Sequence, residues 1–164
     1  MAKITDLLKY LQDNKIQLQL IEHDTAFTAH ELARTTHVPD SELAKTIIVR
    51  ADGGFWMAVL RADQIIDHSL LKKALDAREL HFAHEEDLNF LFPDCQTGAM
   101  PPFGNLYGVP VVVDTALAAD EEIVFNACSH TKAIRMKYAD YERLVKPRVA
   151  IFAQSQVVAD SLEG

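Results

Sequence analysis

The chain has 164 residues, of which 49% are hydrophobic and 24% are charged, and its formal net charge at pH 7 is −8. This size fits one globular domain, and the acidic balance excludes a general nucleic-acid binder, whose surface would be basic. No apolar run approaches the ~18 residues of a membrane span, and Cys95 and Cys128 permit at most one disulfide, so we expect a cytoplasmic protein in a reducing compartment.

The first forty residues predict two helices and one strand. Residues 4–11 carry leucine and isoleucine at helical spacing, and residues 16–22 alternate between apolar and polar side chains as a half-buried strand does. Thr28 can cap the next helix, with Glu31 three residues later completing a capping box. Pro39 ends this region.

The next segment predicts a hairpin followed by a helix. Residues 46–51 and 55–60 are rich in β-formers and are separated by Asp-Gly-Gly at 52–54, the strongest hairpin signal in the chain. Residues 67–77 have apolar side chains on one helical face, and residues 80–83 form a short strand pattern. One or two helical turns are expected over residues 85–92.

The sequence Gly-Ala-Met-Pro-Pro-Phe-Gly at residues 98–104 must form a loop. Its two prolines fix φ near −65° and lack amide donors, while its glycines can adopt positive φ. Backbone N–H groups exposed in such a turn can hold an anion or a developing oxyanion. A stiff connection between two strands is the alternative explanation.

Beyond this loop the pattern returns to strands. Residues 109–114 are almost wholly apolar and β-branched, which predicts a buried central strand with Pro110 at its beginning. Further strands are predicted at 122–127, 133–138 and 149–153, and a short helix at 140–145. We therefore expect one α+β domain over residues 1–154, built on a mixed, mostly antiparallel, barrel-like sheet with surrounding helices, and a frayed tail over residues 155–164.

Two positions are candidates for chemistry on their local sequence. Lys45 stands where the first hairpin strand begins, although a charge at a strand end needs no functional explanation. His130 ends the polar run of residues 126–130, which could line a pocket. In a strand Cys128 and His130 would share a face while Ser129 would not, so a nucleophilic arrangement is disfavoured. The histidines lack the spacing of a zinc site, and we expect neither a metal nor a cofactor.

In their order and spacing these pieces resemble the YbaK-type aminoacyl-tRNA deacylases, relatives of the editing insertion domain of bacterial prolyl-tRNA synthetase. The similarity spans about residues 16–153. It rests on several short motifs, namely His23, Thr28 with the helix after it, Ala44-Lys45-Thr46, Leu71-Lys72-Lys73-Ala74-Leu75, residues 98–104, residues 109–114 and residues 126–130. Cys128 departs from this pattern, since it stands where the family run has glycine.

The resemblance implies hydrolysis of mischarged aminoacyl-tRNA in trans, by metal-free attack of water on the ester. Alanine on proline-specific tRNA is the first expected substrate, and cysteine or serine the next. Lys45 would be the catalytic cation, Gly98 and Ala99 would hold the substrate carbonyl through their backbone, and the free ribose hydroxyl of the tRNA would activate water. The positions assigned to substrate binding are Thr28, Met100, Pro101, Asn126, Ser129 and His130.

The expected partner is the acceptor end of mischarged tRNA, and an aminoacyl-tRNA synthetase stays open as a second partner. Neither DNA nor a membrane is expected. Residues 132–148 hold six basic against two acidic side chains, which either contact tRNA or form a solvated face. Within this segment Arg135 and Lys137 share one strand face and are the better pair for tRNA. Two alternatives are a non-catalytic module that binds tRNA or a synthetase, and a hydrolase of another small ester.

Overall fold

Two main sheets and a two-stranded ribbon organise the chain in a computed structural model that describes residues 4–155. The strands are β1 (Leu18–Glu22), β2 (Ala44–Ala51), β3 (Gly54–Arg61), β4 (Gln64–Ile66), β5 (Leu80–Phe82), β6 (Val111–Asp114), β7 (Glu122–Ser129), β8 (Lys132–Lys137), β9 (Arg148–Ala150) and β10 (Ala153–Ser155). The helices are α1 (Ile4–Asp13), α2 (Ala29–Thr36), α3 (His68–Ala74), α4 (Glu85–Leu91), α5 (Thr115–Ala118) and α6 (Tyr138–Val145). No helix in this part of the chain is long and apolar enough to cross a membrane.

The larger sheet has five strands in the order β5-β2-β3-β6-β9. The predicted hairpin is confirmed: β2 pairs antiparallel with β3, and Asp52 and Gly53 turn the chain with φ of 50° and 85°. Positive φ at both central residues matches the twist of a two-residue hairpin. The predicted central strand is also confirmed, since β6 pairs in parallel with β3 and β9 and is buried along its whole length.

The smaller sheet has three antiparallel strands in the order β1-β8-β7, and β4 pairs separately with β10. A parallel bridge between Leu43 and Val124 brings the start of β2 beside β7, so the two main sheets meet at this point. The sheet was expected to be barrel-like, but over residues 4–155 the strands do not close into a barrel. The ladders stay separate because one bridge, rather than a continuous ladder, joins them.

The main hydrophobic core lies between the two sheets and is anchored by the proline loop. Phe103 is fully buried, and its ring packs against the rings of Phe125 and Tyr141 at centroid distances of 5.6 Å and 5.3 Å. Tyr141 donates its hydroxyl hydrogen to the Pro102 carbonyl at 2.6 Å. A side chain at Gly104 would overlap the Val109 carbonyl oxygen, so only glycine fits there. The loop is therefore held rigidly by the core beneath it.

The closing strand predicted at 149–153 is instead two short strands, β9 and β10. The cause is Asp114, which is 2% exposed at the end of β6. Its Oδ1 accepts hydrogen bonds from the backbone N–H groups of Phe152 and Ala153, each at 2.9 Å, and its Oδ2 accepts from Ala116 N–H at 2.9 Å. These bonds turn the chain between the two strands. Of the predicted tail only Ser155, which ends β10, falls within the described residues.

Candidate active site

A cavity of about 150 Å³ lies where the two main sheets meet. Four segments form its walls: the start of α2, the start of β2, the loop before residue 101, and β7. The lining residues are Phe27, Thr28, Leu32, Leu43, Ala44, Lys45, Thr46, Ile47, Gly98, Met100 and Asn126. The cavity thus brings together five residues that the sequence singled out, namely Thr28, Lys45, Gly98, Met100 and Asn126.

Lys45 supplies a half-buried cation to this cavity. Its Nζ donates to the Ala62 carbonyl at 3.4 Å, and within residues 4–155 it forms no ion pair. Burial lowers the pKa of the Lys45 ammonium below 10.5, and the charge of Asp63 partly opposes this shift. Asp63 itself is engaged by Arg61, at 2.7 Å and 3.1 Å. An ammonium has three N–H donors, so Lys45 keeps donors for a ligand.

The loop beside Lys45 presents backbone N–H groups. Gly98 has φ of 86°, which a residue with a Cβ rarely adopts. Ala99 N–H donates to the Gln96 carbonyl at 2.9 Å, and the Ala99 carbonyl accepts from Cys128 N–H at 2.9 Å, so the Ala99 backbone is used within the protein. Gly98 and Met100 line the cavity, and their N–H groups have no acceptor in the described part of the chain. These two N–H groups remain for a ligand.

His130 holds two loops in place behind the cavity. It is 7% exposed and does not line the cavity. Its N–H donates to Gln96 Oε1 at 2.7 Å, and its ring nitrogens lie 3.1 Å from the Ala26 carbonyl and 2.8 Å from the Thr97 carbonyl. Carbonyl oxygens only accept, so the ring donates to one of them when neutral and to both when protonated. His130 therefore ties the segment before α2 to the Gly98 loop.

Asn126 contributes an unsatisfied acceptor. Its Oδ1 is buried in the cavity wall and has no hydrogen-bond partner among residues 4–155. A buried acceptor without a partner costs about 1 to 3 kcal/mol, and a ligand that donates to it would offset that cost. Ser129 and Pro101 lie outside the lining, and the Ser129 hydroxyl is bonded to the Thr131 hydroxyl at 2.9 Å.

Thr46 adds backbone groups at the open edge of β2. Ala62 N–H donates to the Leu43 carbonyl, which fixes the hydrogen-bonded pairs of the hairpin at every second residue. By this alternation the backbone N–H and carbonyl of Lys45 bond to β3, whereas the backbone N–H and carbonyl of Thr46 point away from β3. β5 pairs with β2 only at residues 49–51, so it does not cover Thr46.

One further signal for these walls is present in the sequence. Phe27 and Leu32 flank the Thr28 cap at the positions of a hydrophobic staple, and both line the cavity. The predicted Thr28 cap is confirmed, because Thr28 Oγ1 accepts from Glu31 N–H at 3.1 Å. The predicted capping box is not completed, since Glu31 Oε2 accepts from Phe27 N–H instead of Thr28 N–H. No local pattern could have placed Leu43 or Ile47 in the wall, since their positions depend on the bridge between the sheets.

The backbone conformation at Cys128 accounts for the glycine that the family pattern has at this position. Its φ is 66°, in the left-handed region that favours glycine, and it lies in the irregular stretch of β7 between Asn126 and Ser129. The disulfide that the sequence permits is formed, between Cys95 and Cys128, and it counts against the reducing compartment that the cysteine content led us to expect. With its sulfur in this bond, Cys128 has no thiol that could act as a nucleophile.

Arg135 and Lys137 lie outside the cavity, on the sheet face that carries Asn126. In the antiparallel register Val124 is opposite Arg135 and Glu122 is opposite Lys137, so all of these side chains point to one face. Arg135 contacts Glu42 at 3.7 Å, and Lys137 is exposed. Within residues 4–155 no group of three or more histidine, cysteine, aspartate or glutamate side chains could hold a metal ion.

The sequence matches the family described as aminoacyl-tRNA editing domain over residues 23–144. The prolyl-tRNA editing protein ProX of Acetoanaerobium sticklandii is 28% identical over 142 residues, which cover 83% of this chain and 86% of the relative. The multifunctional Ser/Thr-tRNA deacylase ProXp-y of Escherichia coli K12 is 25% identical over 154 residues, covering 91% and 92% of the two chains. A solved structure of a proposed trans-editing enzyme for prolyl-tRNA synthetase shares the fold, with a TM-score of 0.80 at 16% identity over 94% of this chain and 99% of that one. The chain therefore belongs to the aminoacyl-tRNA editing domain family, as its sequence motifs implied.

Proposed function

We propose that this protein is an aminoacyl-tRNA deacylase that hydrolyses mischarged aminoacyl-tRNA in trans, with the cavity around Lys45 as its active site. The observation that carries the proposal is the Lys45 ammonium, which has no ion-pair partner within residues 4–155, beside two backbone N–H groups, at Gly98 and Met100, that have no acceptor in the same range. Such a group of donors suits a carbonyl oxygen that becomes negatively charged. Family membership and two similar tRNA-editing proteins support the same reaction class.

The reaction is the addition of water to the ester carbonyl carbon. Charge develops on the carbonyl oxygen, where Lys45 and the N–H groups of Gly98 and Met100 stabilise it, each preorganised donor contributing about 3 to 4 kcal/mol. The neighbouring ribose hydroxyl of the tRNA takes part in activating the water, as expected from the family resemblance. Collapse of the tetrahedral intermediate breaks the bond to the ribose oxygen, which takes up a proton. The products are a free amino acid and deacylated tRNA.

The amino acid itself is held by the remaining polar groups of the cavity. The α-ammonium group of the substrate donates to Asn126 Oδ1, which otherwise lacks a partner. The Thr28 hydroxyl lines the opposite wall and keeps its own hydrogen for donation, because Oγ1 accepts from Glu31 N–H. The backbone of Thr46 offers one more donor and one more acceptor.

The size of the cavity selects small amino acids. A cavity of about 150 Å³ accommodates a molecule of about the size of benzene. We expect alanine on proline-specific tRNA as the first substrate, and cysteine or serine next. A synthetase pocket discriminates one methylene by only about 1 to 3 kcal/mol, so a separate hydrolytic site removes the smaller amino acids that pass it.

The tRNA enters with its acceptor end, in the cytoplasm, and Arg135 and Lys137 contact its phosphates beside the cavity. Binding should weaken with salt by only a few phosphate equivalents, because the rest of the surface is acidic. A synthetase that delivers the tRNA is compatible with this arrangement and is not required by it.

The decisive experiment replaces Lys45 with alanine. Deacylation of alanyl-tRNA for proline should fall by about 100-fold or more, while the thermal melting profile stays unchanged. Lys9→Ala removes an exposed lysine of α1 and serves as the matched control, with full activity expected. A well-folded Lys45→Ala variant with the wild-type rate would overturn the proposal, and absence of turnover by the wild type on alanyl-, seryl- and cysteinyl-tRNA would favour a binding module.

A further inference from the structure

Phe27 is an aromatic side chain held at the rim of the cavity without being part of the core. It is 70% exposed, whereas Leu32 and Leu43 form the buried floor of the same cavity. A hydrophobic staple that served only the fold would bury the phenylalanine against Leu32. The exposure of Phe27 therefore calls for another explanation.

The backbone on both sides of Phe27 is fixed, so the ring is presented in one place. Its own N–H donates to Glu31 Oε2 at 3.1 Å, and Ala26 N–H donates to the His130 carbonyl at 3.0 Å. The ring contacts the His130 imidazole at a centroid distance of 4.9 Å and a tilt of 53°. His130 is in turn held through both ring nitrogens. Such a buttressed, exposed ring is preorganised to receive a flat partner.

We propose that Phe27 is a stacking platform for the base of the terminal adenosine of the tRNA. This inference rests on the proposed function and adds a subsite to it. The ester bond joins the amino acid to the ribose of that adenosine, and the cavity of about 150 Å³ has room for the aminoacyl group but not for the nucleoside. The base must then lie at the rim, one glycosidic bond away from the ribose, where Phe27 stands.

The chemistry of the contact suits a site that must accept every tRNA. All tRNAs end in the same adenosine, and stacking needs only the flat face of its base. A base on an aromatic side chain contributes about five- to hundredfold in affinity, as alanine substitution measures in single-strand binding proteins. Phe27 thus positions the ribose ester against Lys45 and recognises the end of the tRNA rather than the amino acid.

The test measures binding without catalysis, so that it stands apart from the deacylation assay. The probes are two deacylated acceptor-stem minihelices, one ending in CCA and one whose last residue lacks a base. Phe27→Ala should weaken binding of the CCA minihelix about tenfold and leave binding of the abasic minihelix unchanged. Phe27→Trp should restore binding, and Phe27→Leu, which keeps apolar area without a ring, should not.

Phe90→Ala is the matched control, since Phe90 is 82% exposed on α4 and lies outside the cavity lining. It should bind both minihelices as the wild type does. Melting temperatures of the variants should agree with the wild type. Equal losses for the two minihelices, no loss for Phe27→Ala, or a wild type that binds neither minihelix would overturn the stacking role. Failure of deacylation with intact base-dependent binding would instead overturn only the proposed reaction.

Discussion

The structure contains two polar centres that differ in whether their hydrogen-bonding groups have partners within the protein. At the end of β6 the Asp114 carboxylate accepts three backbone N–H groups at 2.9 Å. At the junction of the sheets, counting only partners among the described residues, Lys45 has one hydrogen bond of 3.4 Å, Asn126 Oδ1 has none, and the N–H groups of Gly98 and Met100 have no acceptor. Satisfied groups stabilise a fold, whereas unsatisfied groups gathered around a cavity are stabilised by a ligand.

The largest effect should come from the satisfied centre. Asp114→Ala leaves three N–H groups without their acceptor, so we expect a loss of about 3 kcal/mol or more in the free energy of unfolding. Asp67→Ala, which removes a cap that accepts one N–H group of α3, should cost about 1 kcal/mol. Urea unfolding measures both. The comparison would fail if Asp114→Ala kept the wild-type free energy of unfolding while its folded molecules no longer catalysed deacylation.

The opposite result is expected for Asn126. Asn126→Ala removes a buried acceptor that has no partner within residues 4–155 and that costs about 1 to 3 kcal/mol, so the free energy of unfolding should rise or stay the same and should not fall. The kcat/KM for deacylation should fall about tenfold or more, since a hydrogen bond to the charged ammonium group of the substrate is lost. Asn105→Ala, at an exposed position outside the cavity, is the control. Unchanged kcat/KM would remove Asn126 from the site.

Charge reversal beside the cavity should have a smaller effect that is confined to binding. The double variant Arg135→Glu and Lys137→Glu should raise KM several-fold with little change in kcat, because these side chains contact phosphates and not the ester. The double variant Lys9→Glu and Lys73→Glu makes the same change in net charge at exposed positions elsewhere. A fall in kcat at unchanged KM would place Arg135 and Lys137 in the reaction itself.

The smallest effect is the pH dependence that Lys45 gives to stability. Burial lowers its pKa in the folded state below the value of 10.5, so between the two values the unfolded chain binds a proton that the folded protein does not. The free energy of unfolding contributed by Lys45 therefore rises with pH across that alkaline window. Lys45→Met should be at least as stable as the wild type at pH 7, with the difference shrinking as the pH approaches 10.5. A difference that grows with pH would contradict the burial of the ammonium.

The local elements of the fold can be predicted from the sequence, but the way in which the sheets are joined cannot. The β2-β3 hairpin, the Thr28 cap and the buried strand β6 depend on neighbouring residues, and each is found as predicted. The division between β9 and β10 depends on Asp114, which lies far away in sequence, and no periodicity could indicate it. Short elements such as α5 and β4 are below the length at which a pattern becomes recognisable.

The same distinction applies to the candidate site. Lys45, Gly98 and Asn126 were singled out through family motifs, and the structure places them around one cavity. The sequence assigned the second backbone donor to Ala99, but among the described residues the N–H group without an acceptor is that of Met100. The reason is that the loop uses Ala99 N–H for its own hydrogen bond, which the sequence does not reveal. Exposure of Phe27 follows from packing that sequence patterns do not record.

The pairing of β1 with β8 has a consequence for the order of events during synthesis. Leu18 is opposite Met136, so β1 cannot form its ladder until β8, far along the chain, has been synthesised. Pairings between residues so far apart make folding slow compared with helical proteins of similar size. The walls of the cavity likewise come from four distant segments, including β7. A nascent chain whose β7 and β8 are still inside the ribosome therefore lacks a complete site, and the cavity can form only after both strands have emerged.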